Sequence, residues 1–149
     1  SGWIQKLKGK TTGKMLTEDK RNQLIQSAIE ARQKAYAPYS NYAVGAALLT
    51  SSGNVYQGVN IENAAYPASI CAERSAVFNA VINGERQFAA IAVATLNAGM
   101  PCGSCRQVLA EFGLDTLVLI SDIEGRLIRE TDVASLLPDA FTPDDLVSG

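Results

Sequence analysis

Three cysteines, Cys71, Cys102 and Cys105, are all the thiols in this 149-residue chain, and it contains no histidine. They stand in two short blocks, Cys71-Ala72-Glu73-Arg74 and Pro101-Cys102-Gly103-Ser104-Cys105. Three thiols cannot all pair as disulfides. Three thiolates can hold one zinc and leave its fourth position open to water, the pattern of a catalytic rather than a structural site. A carboxylate beside such a site can move protons, and Glu73 is placed to do so. Any fold for this chain therefore has to bring residue 71 to residues 102 and 105.

The local pattern allows this. Cys71 opens a helix expected to run to Asn83, with Gly84 as its stop. A second helix is expected over Gly103–Phe112, with Cys102 just ahead of it. Cys105, Val108, Leu109 and Phe112 follow i, i+3, i+4, i+7 spacing, so they share an inward face. Helix N-termini favour thiolate over thiol, and two of them can converge on one metal. Three thiolates and a dication sum to −1, so the site needs a cation nearby; Arg74 and Arg106 are the candidates. Taken singly, each residue has an ordinary explanation. Cys-x-x-Cys is often a redox pair, although such pairs usually follow the first strand of their domain. A lone cysteine is a small buried hydrophobe, and a lone glutamate suits a helix start. The combination favours zinc.

Other elements follow from periodicity and turn chemistry. A helix capped by Thr17 is expected to reach about Lys34, with Leu24, Ile25, Ala28, Ile29, Ala31 and Ala35 as its apolar stripe. Strands are expected over Tyr42–Thr50, Val55–Ile61, Phe88–Thr95, Thr116–Ser121 and Leu127–Glu130, with a short helix over Thr131–Leu137. The order α-β-β-α-β-α-β-β-α predicts an α/β fold in three layers, with a central mixed five-stranded sheet and helices on both faces.

Composition narrows the function. The chain is 47% hydrophobic, as globular domains are, and its longest apolar runs are too short to span a membrane. Net charge is −2, but residues 1–14 hold four lysines and no acid, leaving 9 basic against 15 acidic residues elsewhere. An acidic body argues against nucleic-acid binding, which needs a basic face. Residues 1–14 are read as a basic extension, vector-derived or disordered, ahead of a single catalytic domain over residues 15–149. No secretory leader is recognised, and free thiols suit a reducing compartment, so a cytoplasmic location is expected.

Cys-x-Glu followed by Pro-Cys-x-x-Cys is the established signature of zinc deaminases. Further blocks extend the match: Ala37-Pro38-Tyr39-Ser40-Asn41-Tyr42, Val44-Gly45-Ala46-Ala47-Leu48-Leu49, Gly58-Val59-Asn60-Ile61-Glu62-Asn63, Cys105-Arg106-Gln107 and Leu136-Leu137-Pro138-Asp139-Ala140-Phe141. In these the chain resembles the cytidine deaminase family, specifically its short, homotetrameric, three-cysteine class. The resemblance implies one Zn²⁺ per subunit on Cys71, Cys102 and Cys105, with Glu73 as proton shuttle and Arg74 and Gln107 supporting the cysteines. It implies substrate contacts from Tyr42, Asn60, Glu62 and Ala72, and from Phe141 reaching into a neighbouring subunit's site. Asn60 and Glu62 would bind the ribose hydroxyls. Tyr42 stands where the family commonly has phenylalanine. The implied reaction converts cytidine and deoxycytidine to uridine and deoxyuridine plus ammonia, in pyrimidine salvage. The implied assembly is a homotetramer with sites at subunit borders. The alternatives are a deaminase of another aminopyrimidine nucleoside and a catalytically silent zinc-binding relative. Apart from the resemblance, Asn60 reads as ordinary turn chemistry and Glu62 as a surface carboxylate. Tyr66 is a weaker candidate at the site.

Overall fold

Alternation along the strands explains how one sheet carries helices on both faces. In the computed structural model, which describes residues 16–147, the strands are β1 (Gly45–Thr50), β2 (Val55–Val59), β3 (Phe88–Ala94), β4 (Leu117–Ser121) and β5 (Leu127–Asp132). They form one sheet in the order β2-β1-β3-β4-β5. Neighbours run antiparallel except β3 and β4, which are parallel and joined through a helix, as a parallel pair requires. The sheet is mixed and five-stranded, as the element order predicts.

Successive side chains on a strand point to opposite faces. Ala47, Leu49, Ala90, Ala92, Ala94, Leu117 and Leu119 pack on one side with Leu24, Ile25 and Ala28 of helix α1 (Glu18–Arg32). Ala46, Leu48, Ile91, Val93, Val118 and Ile120 face the other side. There they meet Ala72, Ala76, Val77 and Ala80 of α2 (Ala72–Ile82), and Leu109 and Ala110 of α3 (Gly103–Glu111). Val133 and Leu136 of α4 (Val133–Leu136) close that layer. A short α5 (Asp144–Val147) follows. Burial on both faces is why the central strands read as unbroken apolar runs.

Two glycines set the helix heights. A Cβ at Gly45 would overlap the Ala28 carbonyl oxygen of α1, and one at Gly58 would overlap the Ala76 N and Ala72 O of α2. Bare backbone at these points lets α1 and α2 lie directly on the sheet.

Several boundaries differ from the sequence expectation. Residues 42–44 lie outside β1. The Asn60 side chain takes the place of a strand neighbour there, donating to the Tyr42 carbonyl (2.7 Å) and accepting from the Val44 N–H (2.9 Å). Thr131 and Asp132 belong to β5 rather than to the last predicted helix; Asp132 caps α4 by accepting from the Ser135 N–H. Helix α5 has no counterpart in the sequence reading. The basic extension and Met15 lie outside the described residues. Among the described residues, no helix is long and apolar enough to cross a membrane.

Candidate active site

Two helix N-termini meet on the side of the sheet that carries α2 and α3. Cys71 is the N-cap of α2 and Cys102 the N-cap of α3, and neither side chain caps its own helix. Their sulfurs are therefore free for other partners. Cys105, one turn into α3, is fully buried on the inward face that its spacing predicts. The Cys71 and Cys102 sulfurs are 3.8 Å apart, those of Cys102 and Cys105 are 3.3 Å apart, and all three lie within 4.8 Å of one another. Tetrahedral ligands at a Zn–S distance of about 2.3 Å stand about 3.8 Å apart. The three sulfurs thus fit one zinc and leave one position for a non-protein ligand.

The electrostatics agree with the geometry. Cys71 is held down to about 5, first by the Cys105 thiol that donates to it and then by the Arg74 guanidinium. Arg74 Nη2 lies 3.5 Å from the Cys71 sulfur, so it is the cation the charge count requires. Its Nε is buried without a hydrogen-bond partner. Cys105 keeps the proton it donates to Cys71 and is pushed up, with burial adding to the effect. A dication among the sulfurs takes over the role of that proton and favours all three thiolates.

Glu73 sits in the first turn of α2 and is only 5% exposed. Burial pushes its carboxyl up to about 7, with the charge on Cys71 adding. A carboxyl in this range can both take and give a proton near neutral pH.

Cys71 and Cys102 line a cavity of about 600 Å³, within the range of small-molecule sites. Its walls include Glu73, Cys71, Cys102 and Ala72 at one end and Asn60, Glu62 and Ser40 elsewhere, with Tyr42, Tyr66, Thr95, Gly99 and Met100. The sequence candidates Tyr42, Asn60, Glu62, Ala72 and Glu73 are thus brought to one cavity with Cys71 and Cys102, while the buried Cys105 does not line it. Asn60 and Glu62, two apart, both reach it. Each also braces the loop before β1. The Glu62 carboxylate accepts from the N–H groups of Tyr39 (3.0 Å) and Ser40 (3.1 Å) and from the Ser40 hydroxyl. The Ser40 hydroxyl first, and then these N–H groups, hold Glu62 below the usual carboxylate range. Beyond these bonds, Asn60 and Glu62 keep further donor and acceptor capacity.

Two candidates, Gln107 and Arg106, make contacts that the reading of the sequence did not name. The Gln107 side-chain amide donates to the Phe141 carbonyl (2.9 Å) rather than to a cysteine sulfur. Arg106 donates to the carbonyls of Pro101 (2.9 Å) and Leu136 (2.8 Å), so it ties the metal-site loop to the C-terminal segment. Phe141 is 56% exposed and does not line the cavity of its own chain. The sequence reading passed over Ser40, Thr95, Gly99 and Met100. Ser40 alone carried a signal, as a turn hydroxyl two residues before Tyr42.

A mixed sheet bearing a three-cysteine site at two helix starts, beside a buried carboxylate, defines a zinc-binding domain of the open, catalytic kind. Comparison with known proteins gives the family. The Cytidine and deoxycytidylate deaminase zinc-binding region matches residues 18–121, and the chain belongs to that family. It is 50% identical over 126 residues to the cytidine deaminase of Sporosarcina psychrophila, covering 83% of this chain and 92% of that protein. It is also 50% identical over 129 residues to that of Halalkalibacterium halodurans, covering 85% and 97%. Among solved structures it is similar to the Burkholderia pseudomallei cytidine deaminase, with a TM-score of 0.77, 48% identity, and coverage of 84% of this chain and 99% of that one. The Mycobacterium tuberculosis enzyme superposes with a TM-score of 0.72 at 39% identity, covering 80% and 95%.

Proposed function

We propose that this protein is a cytidine deaminase, converting cytidine and deoxycytidine with water to uridine and deoxyuridine plus ammonia. The observation that carries this reading is the buried Glu73 lining the same cavity as Cys71 and Cys102, two members of a sulfur triad of zinc dimensions. Relatives at 50% identity bear the name cytidine deaminase and support the substrate class.

When bound on Cys71, Cys102 and Cys105, zinc supplies Lewis-acid activation of water near neutral pH. Glu73 carries the protons. It takes one from the attacking water and gives it to N3 of the ring while oxygen adds at C4. It then relays the remaining oxygen proton to the exocyclic amine. The C4–N bond breaks, ammonia leaves, and the ring regains its carbonyl. Burial keeps Glu73 dry enough for its proton to go to the substrate rather than to solvent. Arg74 offsets the thiolate charge and Ala72 forms the wall beside the reacting carbon. Asn60 and Glu62 hold the sugar hydroxyls, and Tyr42 packs on the base. Acceptance of deoxycytidine follows if the 3′-hydroxyl is the principal sugar anchor.

The protein acts as a single catalytic domain over residues 15–149, in a cytoplasmic pyrimidine salvage role that its free thiols suit. It assembles as a homotetramer in which the exposed Phe141 reaches a neighbouring subunit's cavity. The test is ammonia release from cytidine and from deoxycytidine by zinc-loaded protein. Comparable turnover of the two is expected; a deoxycytidine turnover far below that of cytidine would remove the 3′-hydroxyl as the main anchor.

A further inference from the structure

We propose that the Tyr42 hydroxyl, the Asn97 carboxamide and the side-chain-free Gly99 form a latch. The latch fixes the cavity wall of residues 95–102 and makes that wall a size filter for the base. The inference rests on the nucleoside-deaminating reading above.

The wall begins where β3 ends. Thr95 is buried and organises the turn that follows: its hydroxyl accepts from the Gly99 N–H (2.8 Å) and lies 3.4 Å from Asn97 Oδ1. Ala98 adopts a left-handed conformation (φ 54°) and packs against the core, which commits the turn to one path. Asn97 Oδ1 then accepts from the Tyr42 hydroxyl at 2.6 Å. Tyr42 is itself fixed from the other side. Its N–H donates to the Ser40 hydroxyl (3.0 Å) and its carbonyl accepts from Asn60 (2.7 Å). Tyr42 therefore joins the segment braced by Asn60 and Glu62 to the loop that leads into Cys102. Tyr42, Thr95, Gly99 and Met100 all face the cavity.

Gly99 completes the arrangement. A Cβ built on it would stand 2.7 Å from the Tyr42 hydroxyl oxygen, and its next neighbours would be Asn97 Oδ1 at 3.6 Å and Thr95 Oγ1 at 3.9 Å. The phenolic oxygen is thus the sole obstacle to a side chain at position 99. Phenylalanine at position 42 would remove both the hydrogen bond and the obstacle. A wall held at fixed distance rejects an added methyl by overlap, whereas a loosened wall gives way. Pockets typically discriminate one methylene by about 10–200-fold. The latch is partly exposed to water, so its loss corresponds to one neutral hydrogen bond, about fivefold.

The experiment is a mutant cycle with two readouts on zinc-loaded protein: amide hydrogen exchange of residues 96–100, and kcat/KM for 5-methylcytidine relative to cytidine. Exchange in β3 and β4 serves as the control for folding. Tyr42→Phe, Asn97→Ala and the double variant should each speed loop exchange about fivefold, without adding to one another, and raise the relative use of 5-methylcytidine by a similar factor. Gly99→Ala should produce the same shifts in the parent chain and no further shift when added to Tyr42→Phe. The latch is overturned by unchanged loop exchange in Tyr42→Phe, by additive effects in the double variant, or by an equal effect of Gly99→Ala in both backgrounds. Faster exchange with an unchanged substrate ratio overturns the size filter. If the parent chain leaves cytidine intact, the proposed reaction fails, while the exchange cycle still decides whether the latch exists.

Discussion

Glu73 shows how much a single position depends on its surroundings. On the surface it would be an ordinary carboxylate; in the first turn of α2, buried beside Cys71, it is pushed up to about 7. Glu73→Gln keeps the shape and removes the proton transfer. It should retain one zinc per chain and lose at least about 100-fold in kcat, the usual scale of general acid–base catalysis; metal analysis and turnover on the same sample check this. Cys102→Ala should instead lose zinc and lower the melting temperature, because metal binding is coupled to folding. Full zinc occupancy in that variant would exclude Cys102 as a ligand. Glu73 beside Cys71, and Cys102 with Cys105, were legible because helix geometry fixes residues that are close along the chain; the meeting of Cys71 with Cys102 across 31 residues was legible only from the zinc-deaminase signature. Gln107 and Arg106 were not, because their partners, Phe141 O and Leu136 O, are set by the path of a segment 30 or more residues away.

Elements were legible wherever hydrophobic period and turn chemistry agreed. Strands β1, β3 and β4 are apolar but for the terminal Thr50 and Ser121 because both faces are covered, and the two helices that carry the cluster each begin directly after a cysteine. Residues 42–44 misled for a physical reason: the Asn60 side chain bonds the Tyr42 carbonyl and the Val44 N–H, and a single backbone bond, from the Asn60 N–H to the Val44 carbonyl, joins the two segments there. The close contact of β2 with α2 carries its own prediction. Gly58→Ala places a methyl into the backbone of α2 at Ala72 and Ala76. Overpacking of this kind typically costs about 1–3 kcal/mol, and backbone neighbours cannot rotate away, so the upper part of that range is expected in denaturant unfolding. Because α2 begins at the metal site, zinc affinity should weaken as well. An unfolding midpoint equal to that of the parent chain would show that α2 does not rest on Gly58.

The whole molecule adds pH dependence and assembly. Asp122 is held below the usual carboxylate range, first by the Arg126 N–H and then by its guanidinium at 2.8 Å; Glu62 is held low by Ser40. A carboxyl depressed on folding contributes stability above its unfolded pKa and loses it as pH falls through its folded pKa. The melting temperature should therefore fall on acidification through and below the ordinary carboxylate range, and Asp122→Asn should flatten part of that fall. An identical acid profile in the variant would remove Asp122 from the account. Phe141, Phe78 and Ile82 are exposed apolar side chains, at 56%, 49% and 83%, which suits the proposed homotetramer. Mass measurement in solution should give four chains, and a monomer would contradict the assembly.

The central claim is that Cys71, Cys102, Cys105 and Glu73 form a working deaminating centre. It is tested most directly by following the ultraviolet spectrum of cytidine with zinc-loaded parent protein and, in parallel, with zinc-loaded Glu73→Gln. The account predicts conversion to the uridine spectrum by the parent, with one ammonia released per uridine formed, and a nearly silent variant of equal zinc content. A folded, zinc-loaded parent that leaves cytidine unchanged, or a variant as active as the parent, would contradict it.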